Sequence, residues 1–167
     1  MPFPRLKRKL EPMSTPPTID PKTVTARIGT IYPPEHAGPL KGRAKRALGD
    51  AFDLTQFGAN LTTLAPGTWS AQRHWHEKED EFIFVVEGEI TLVDDSGEHL
   101  LKPGMCAGFK AGVANGHCLV NKFSEPASYV EIGSRSPEEV AHYPDVDMKA
   151  VKTAGVFKVT RKDGSAF

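Results

Sequence analysis

His74 and His76 lie two residues apart near the end of Gly67-Thr68-Trp69-Ser70-Ala71-Gln72-Arg73-His74-Trp75-His76. On an extended strand, residues two apart share a face, so this spacing aims two imidazoles into one volume and turns Trp75 away. Glu81 follows a short charged turn and heads the apolar run Phe82-Ile83-Phe84-Val85-Val86. A carboxylate buried there without a partner is costly, and a cation removes the cost. A third histidine opens another β-prone run, His117-Cys118-Leu119-Val120-Asn121, from which it can converge on the first pair. Three imidazoles and one carboxylate are borderline ligands that suit one divalent ion, Fe, Mn, Zn, Ni, Cu or Co, and ligand type alone does not choose among them.

Around this set, Ser70 and Gln72 share strand parity with the two histidines and are candidates for lining a small-molecule pocket. Asn121, four residues after His117, either points into the same pocket or satisfies a backbone group. Arg73 has the opposite parity and is expected to face solvent. Cys118, next to His117, is expected to point away from the metal as a small buried apolar residue. Cys106 carries no assignment. Two cysteines without a CxxC pair disfavour a disulfide scaffold and thiolate zinc sites. His36, His99 and His142 sit in turn contexts and read as surface residues, with His142-Tyr143 capping the site as the alternative. The basic run Lys41, Arg43, Lys45, Arg46 reads as a solvated loop, with recognition of an anionic ligand as the alternative. The Phe82, Phe84, Val86 stripe reads as core or subunit interface.

The elements that must position these residues are short strands. From Ala51 to Gly133 the chain alternates β-prone runs with Gly, Pro and Asp turns, as in an antiparallel sandwich or barrel. The expected strands are 55–64, 70–76, 80–86, 89–94, 98–101, 105–109, 117–121 and 127–132, a number that suits an all-β jelly roll. Residues 1–50 read as an extended N-terminal arm, with 1–13 expected to be disordered. Residues 134–167 read as a helix and strand extension packed on the barrel. Its helix is expected to start at Ser136-Pro137-Glu138-Glu139 and stop at Pro144, and its strand to span 156–160.

The 167 residues suit one domain. No apolar run approaches the ~18 residues of a membrane span, and no secretory leader is apparent, so the expected location is the cytoplasm with no membrane partner. Formal net charge is zero, but residues 1–50 carry ten Lys/Arg against four Asp/Glu. Part of that excess is Arg5, Lys7, Arg8 and Lys9, expected to be a solvated tail. No aromatic interleaving or DNA-binding motif follows it, so no nucleic-acid partner is expected.

The order Gly67, six residues, His74, one, His76, four, Glu81, six, Gly88 resembles the first motif of the cupin family. Gly104 through Gly112 to His117 and Asn121 resembles the second, with Lys110 where proline is usual and four residues rather than two between Gly112 and His117. The likeness covers about residues 55–133, roughly half the chain. It implies a cupin jelly-roll β-barrel holding one divalent ion through His74, His76, Glu81 and His117. The continuation from Arg135 to Asp147 is similar to a group of small single-domain bacterial cupins, some loosely described as sugar-phosphate isomerase-like. The expected function is a metal-dependent enzyme acting on a small polar or anionic molecule, with isomerase, dioxygenase, lyase and hydrolase chemistry all open. A non-catalytic binding or sensing cupin is the alternative. Open sheet edges and long arms lead to the expectation of a homodimer.

Overall fold

The computed structural model describes residues 18–167; the expected disorder at 1–13 and the basic cluster Arg5–Lys9 lie outside the described residues. Thirteen strands follow in chain order: β1 (Arg27–Ile28), β2 (Arg43–Ala47), β3 (Phe57–Leu64), β4 (Trp75–His76), β5 (Glu81–Glu87), β6 (Ile90–Asp94), β7 (Gly97–Leu101), β8 (Cys106–Phe109), β9 (Cys118–Val120), β10 (Ala127–Ser134), β11 (Glu139–His142), β12 (Lys149–Thr153) and β13 (Val156–Thr160). Among the described residues helical structure is confined to the four-residue turns Pro34–Ala37 and Leu48–Ala51 and to two short 3-10 turns, as the Pro- and Gly-rich local sequence dictates.

One wall is a six-stranded antiparallel sheet in the order β1-β2-β3-β10-β5-β8. The other combines the β7-β6-β9 and β13-β12-β11-β4 sheets, linked through isolated bridges between Trp69 and Val120 and between His74 and His117. The result is a jelly-roll barrel. Leu64, Ile83, Val85, Ala127 and Tyr129 from the first wall pack against Ile90, Leu92, Leu101 and Leu119 from the second. Each large aliphatic side chain buried there contributes about 1.5–3 kcal/mol of transfer free energy. A smaller cluster of Ala141, Tyr143, Met148 and Ala150 holds the C-terminal strands.

Gly88 shows why one motif glycine has no substitute. Its φ is 73°, and a Cβ placed on it would approach the Pro126 carbonyl to 2.7 Å; only glycine meets both demands.

Three expectations need correction. The helix expected from Ser136 is a bend followed by strand β11, because Ala141 pairs with both His76 and Ala150 and ladder pairing outweighs the local helix-start signal. The strand expected over 70–76 shortens to β4, since backbone bonds from Trp69 to Pro39 and from Ser70 to Leu119 pull that stretch into bends. Of the basic run expected as a loop, Arg43, Lys45 and Arg46 lie in β2, an integral strand paired with β3, and Lys41 stays in the turn before it. The strand expected at 156–160 is present as β13 and pairs with β12 of its own chain.

Candidate metal centre

His74 and His117 are cross-strand neighbours. His74 N donates to His117 O at 3.1 Å and His117 N to His74 O at 2.9 Å, which sets the two rings 5.4 Å apart. The His76 ring lies 5.0 Å from that of His74. Glu81 comes from the opposite wall, and its Oε2 sits 2.9 Å from His117 Nε2 and 3.6 Å from His76 Nε2. Ligand atoms of His74, His76 and Glu81 all fall within 4.8 Å of one another, and His117 joins them through Glu81. The four expected residues are thus brought together.

Their hydrogen bonds suit a cation. His74 Nδ1 lies 2.9 Å from Gln72 O and His117 Nδ1 lies 3.2 Å from Asn115 O. A carbonyl only accepts, so each Nδ1 carries the proton, and Nε2 of a neutral ring presents its lone pair. For His117 that lone pair would face the Glu81 carboxylate, so the contact requires a positive charge, a proton or a metal ion. Burial pushes His74 down to about 4, against the opposing pull of Glu81. Burial alone would raise Glu81, but the His117 hydrogen bond and the neighbouring imidazoles hold it at about 2. At neutral pH His74 is therefore neutral and Glu81 ionised, the forms that ligate.

Glu139, which sequence reading placed at a helix start, supports the site from behind. Its fully buried side chain accepts backbone N–H bonds from Glu77 at 2.7 Å, Lys78 at 2.9 Å and Val140 at 2.8 Å. Its Oε1 also lies 3.9 Å from His76 Nδ1, a buried nitrogen with no hydrogen-bond partner among the described residues. Aromatic rings close the flanks. Phe109 stacks on His117 at 3.5 Å and Tyr143 on His74 at 5.5 Å. Burial raises the Tyr143 phenol well above its ordinary value, so its hydroxyl stays protonated. Tyr143 realises the capping alternative, while His142 stacks on Trp75 and bonds Glu77.

The cluster forms part of the wall of a cavity of roughly 740 Å³ that also reaches Tyr32, Arg43 and Tyr143. A second opening of roughly 220 Å³ approaches His76, Glu81 and His117 past Lys110 and Val113. The lengthened turn before His117 is pinned by Gly112 N donating to His76 O at 2.8 Å and by Asn115 bonding Asp94 and Asp95.

Of the three residues expected to line a pocket, Ser70 borders the large cavity and its Oγ accepts from Leu119 N. Gln72 is turned aside, donating to His36 O at 2.9 Å. Asn121 is fully buried and ties down the backbone of Leu64, Phe123 and Glu125. Arg73 does not point freely to solvent, because Asp145 and Asp95 clasp it. Cys118 is buried, as expected, and that burial pushes its thiol up to about 12. Glu139 and Phe109 were missed for one reason: each reaches the site through strand pairing that no local pattern announces.

A two-walled jelly roll with three imidazoles and a carboxylate gathered on its inner surface defines a cupin-type barrel. Residues 60–133 match the family described as Cupin domain. A sugar phosphate isomerase from a cupin superfamily, from Silicibacter pomeroyi, is 46% identical, with a TM-score of 0.87 over 90% of this chain and 96% of that one. A candidate sugar phosphate isomerase from Acidithiobacillus ferrooxidans is 27% identical over 75% of this chain and 80% of that one, with a TM-score of 0.68. The polyketide cyclase RemF from Streptomyces resistomycificus, 22% identical over 70% of this chain and 78% of its own, shares the fold with a TM-score of 0.58. Among curated proteins none is significantly similar. The chain belongs to the cupin superfamily. No helix among the described residues is long and apolar enough to cross a membrane.

Proposed function

We propose that the chain is a metal-dependent cupin enzyme whose cavity takes a small anionic molecule, and that its reaction is isomerisation of a phosphorylated sugar. The observation that carries this is the convergence of His74, His76 and His117 from one wall and Glu81 from the other at a cavity large enough for such a molecule. A divalent ion held there, Fe, Mn, Zn or Ni, would polarise a carbonyl or hydroxyl oxygen of the substrate. The chain's own residues supply the rest. His74 and His117 are fixed in one tautomer by backbone carbonyls, Glu139 holds the turn that follows His76, and Phe109 and Tyr143 shield the imidazole faces from water. The relative most similar in both sequence and coverage among those described bears a sugar phosphate isomerase name, which supports the substrate class.

The test starts with elemental analysis of protein purified without a histidine tag, then follows aldose and ketose phosphates by NMR under anaerobic conditions. About one ion per chain and chelator-sensitive interconversion are expected. Protein that takes up no divalent ion would overturn the reading, and substrate-dependent dioxygen consumption would move the reaction to the dioxygenases.

A further inference from the structure

We propose that Arg43 anchors an oxyanion group, phosphate or carboxylate, of the molecule bound beside the metal centre; this rests on the reading of the cavity as a ligand site. Several cations line the cavity, but they are not equivalent. Arg27 and Arg135 share Asp50, Lys45 pairs with Glu131, and Lys152 pairs with Glu79. Arg43 has no carboxylate partner among the described residues. Its two terminal nitrogens donate to the carbonyls of Ser70 and, at 2.8 Å, Gly29, and its buried Nε has no acceptor among the described residues.

A guanidinium carries five N–H donors, so two neutral carbonyls leave most of them unused and leave the charge uncompensated. They do fix its plane. Such a group, partly withdrawn from water, gains most from a ligand that brings both negative charge and a pair of acceptor oxygens, the geometry of a phosphate or carboxylate. Placement agrees with this. Arg43 shares the inward face of β2 with Lys45 and is bonded to Ser70, on the segment that leads to His74. A small molecule is then held at two ends, its anionic group on Arg43 and its reacting oxygens toward the histidines. The ion pairs of Glu81 are with His76 and His117, and none reaches Arg43.

Calorimetric titration of inorganic phosphate, and separately of succinate, into the metal-loaded chain tests this for wild type, Arg43→Gln and Arg43→Lys. Wild type should bind at least one probe, and which one binds separates phosphate from carboxylate recognition. Arg43→Gln should weaken that binding about tenfold or more, as loss of charge-assisted hydrogen bonds predicts, with metal content unchanged. Arg43→Lys keeps the charge but loses the fork, and should weaken it by less. Unchanged affinity in folded Arg43→Gln, or no binding of either probe to wild type, overturns the anchor. If Arg43→Gln does not fold, unchanged affinity in Arg43→Lys overturns it instead. Repeating the titration without metal separates the two readings: Arg43-dependent binding by a chain that takes up no ion keeps the anchor and sinks the metal enzyme.

Discussion

Glu81 is the proposed ligand whose chemistry differs from the rest, a carboxylate held ionised at the head of β5 by the imidazoles around it. Glu81→Gln keeps its volume and one carbonyl oxygen while removing the charge that offsets a divalent cation. Metal affinity should fall about tenfold or more while the fold survives; unchanged affinity in a calorimetric metal titration would reduce the site to three histidines. His76→Ala should lower metal occupancy below about half without unfolding the barrel, whose core is apolar. Elemental analysis of the purified variant checks this, and full occupancy would remove His76 from the ligand set. These four positions were legible in sequence because strand parity and motif spacing are local properties. Ser70 and Gln72 show where parity stops helping. Both precede the histidines by even steps, yet bends between Trp69 and His74 turn Gln72 toward His36 and leave Ser70 at the cavity.

At the scale of elements, the segment that decides the geometry is the turn between β4 and β5, which separates His76 from Glu81. Glu139 of β11 closes it by accepting the N–H groups of Glu77 and Lys78, so a strand remote in sequence sets the distance between two proposed ligands. Glu139→Ala should therefore destabilise the chain by about 2 kcal/mol, because three partly buried backbone donors lose their acceptor together. It should also weaken metal binding, and Glu139→Gln, which retains one carbonyl oxygen, should lose less of both. Denaturant midpoints beside metal titrations read the two effects; a variant with wild-type stability and affinity would leave Glu139 without the assigned role. Sequence reading placed most strand positions within a residue or two, since Gly, Pro and Asp turns bracket alternating runs. It failed at Glu139 because Ser-Pro-Glu-Glu carries a genuine local preference for a helix start, and only the pairing of β11 with β4 and β12, through Ala141 with His76 and Ala150, overrules it.

At the scale of the whole molecule, β5 and β10 present an apolar surface without a partner among the described residues. Along β5 the side chains alternate, with Ile83 and Val85 buried in the core and Phe82, Phe84 and Val86 on the outer face at 41%, 40% and 49% exposure. Ile132 of β10 pairs with Phe82 and shows 37% exposure, which continues the same face onto the next strand. The stripe, expected as core or subunit interface, is therefore not core. Contiguous exposed aromatic and aliphatic side chains on a sheet face mark an association surface, and a two-fold pairing of identical faces is the commonest way soluble chains cover one. We propose a homodimer closed across this face. Sedimentation at micromolar concentration should give twice the chain mass. Phe84→Glu, which places a charge at the middle of the stripe without touching the barrel interior, should sediment as the single chain with its metal content retained. A wild-type chain that sediments only as the monomer would contradict the pairing, and a Phe84→Glu variant that stays dimeric would move the interface to another surface.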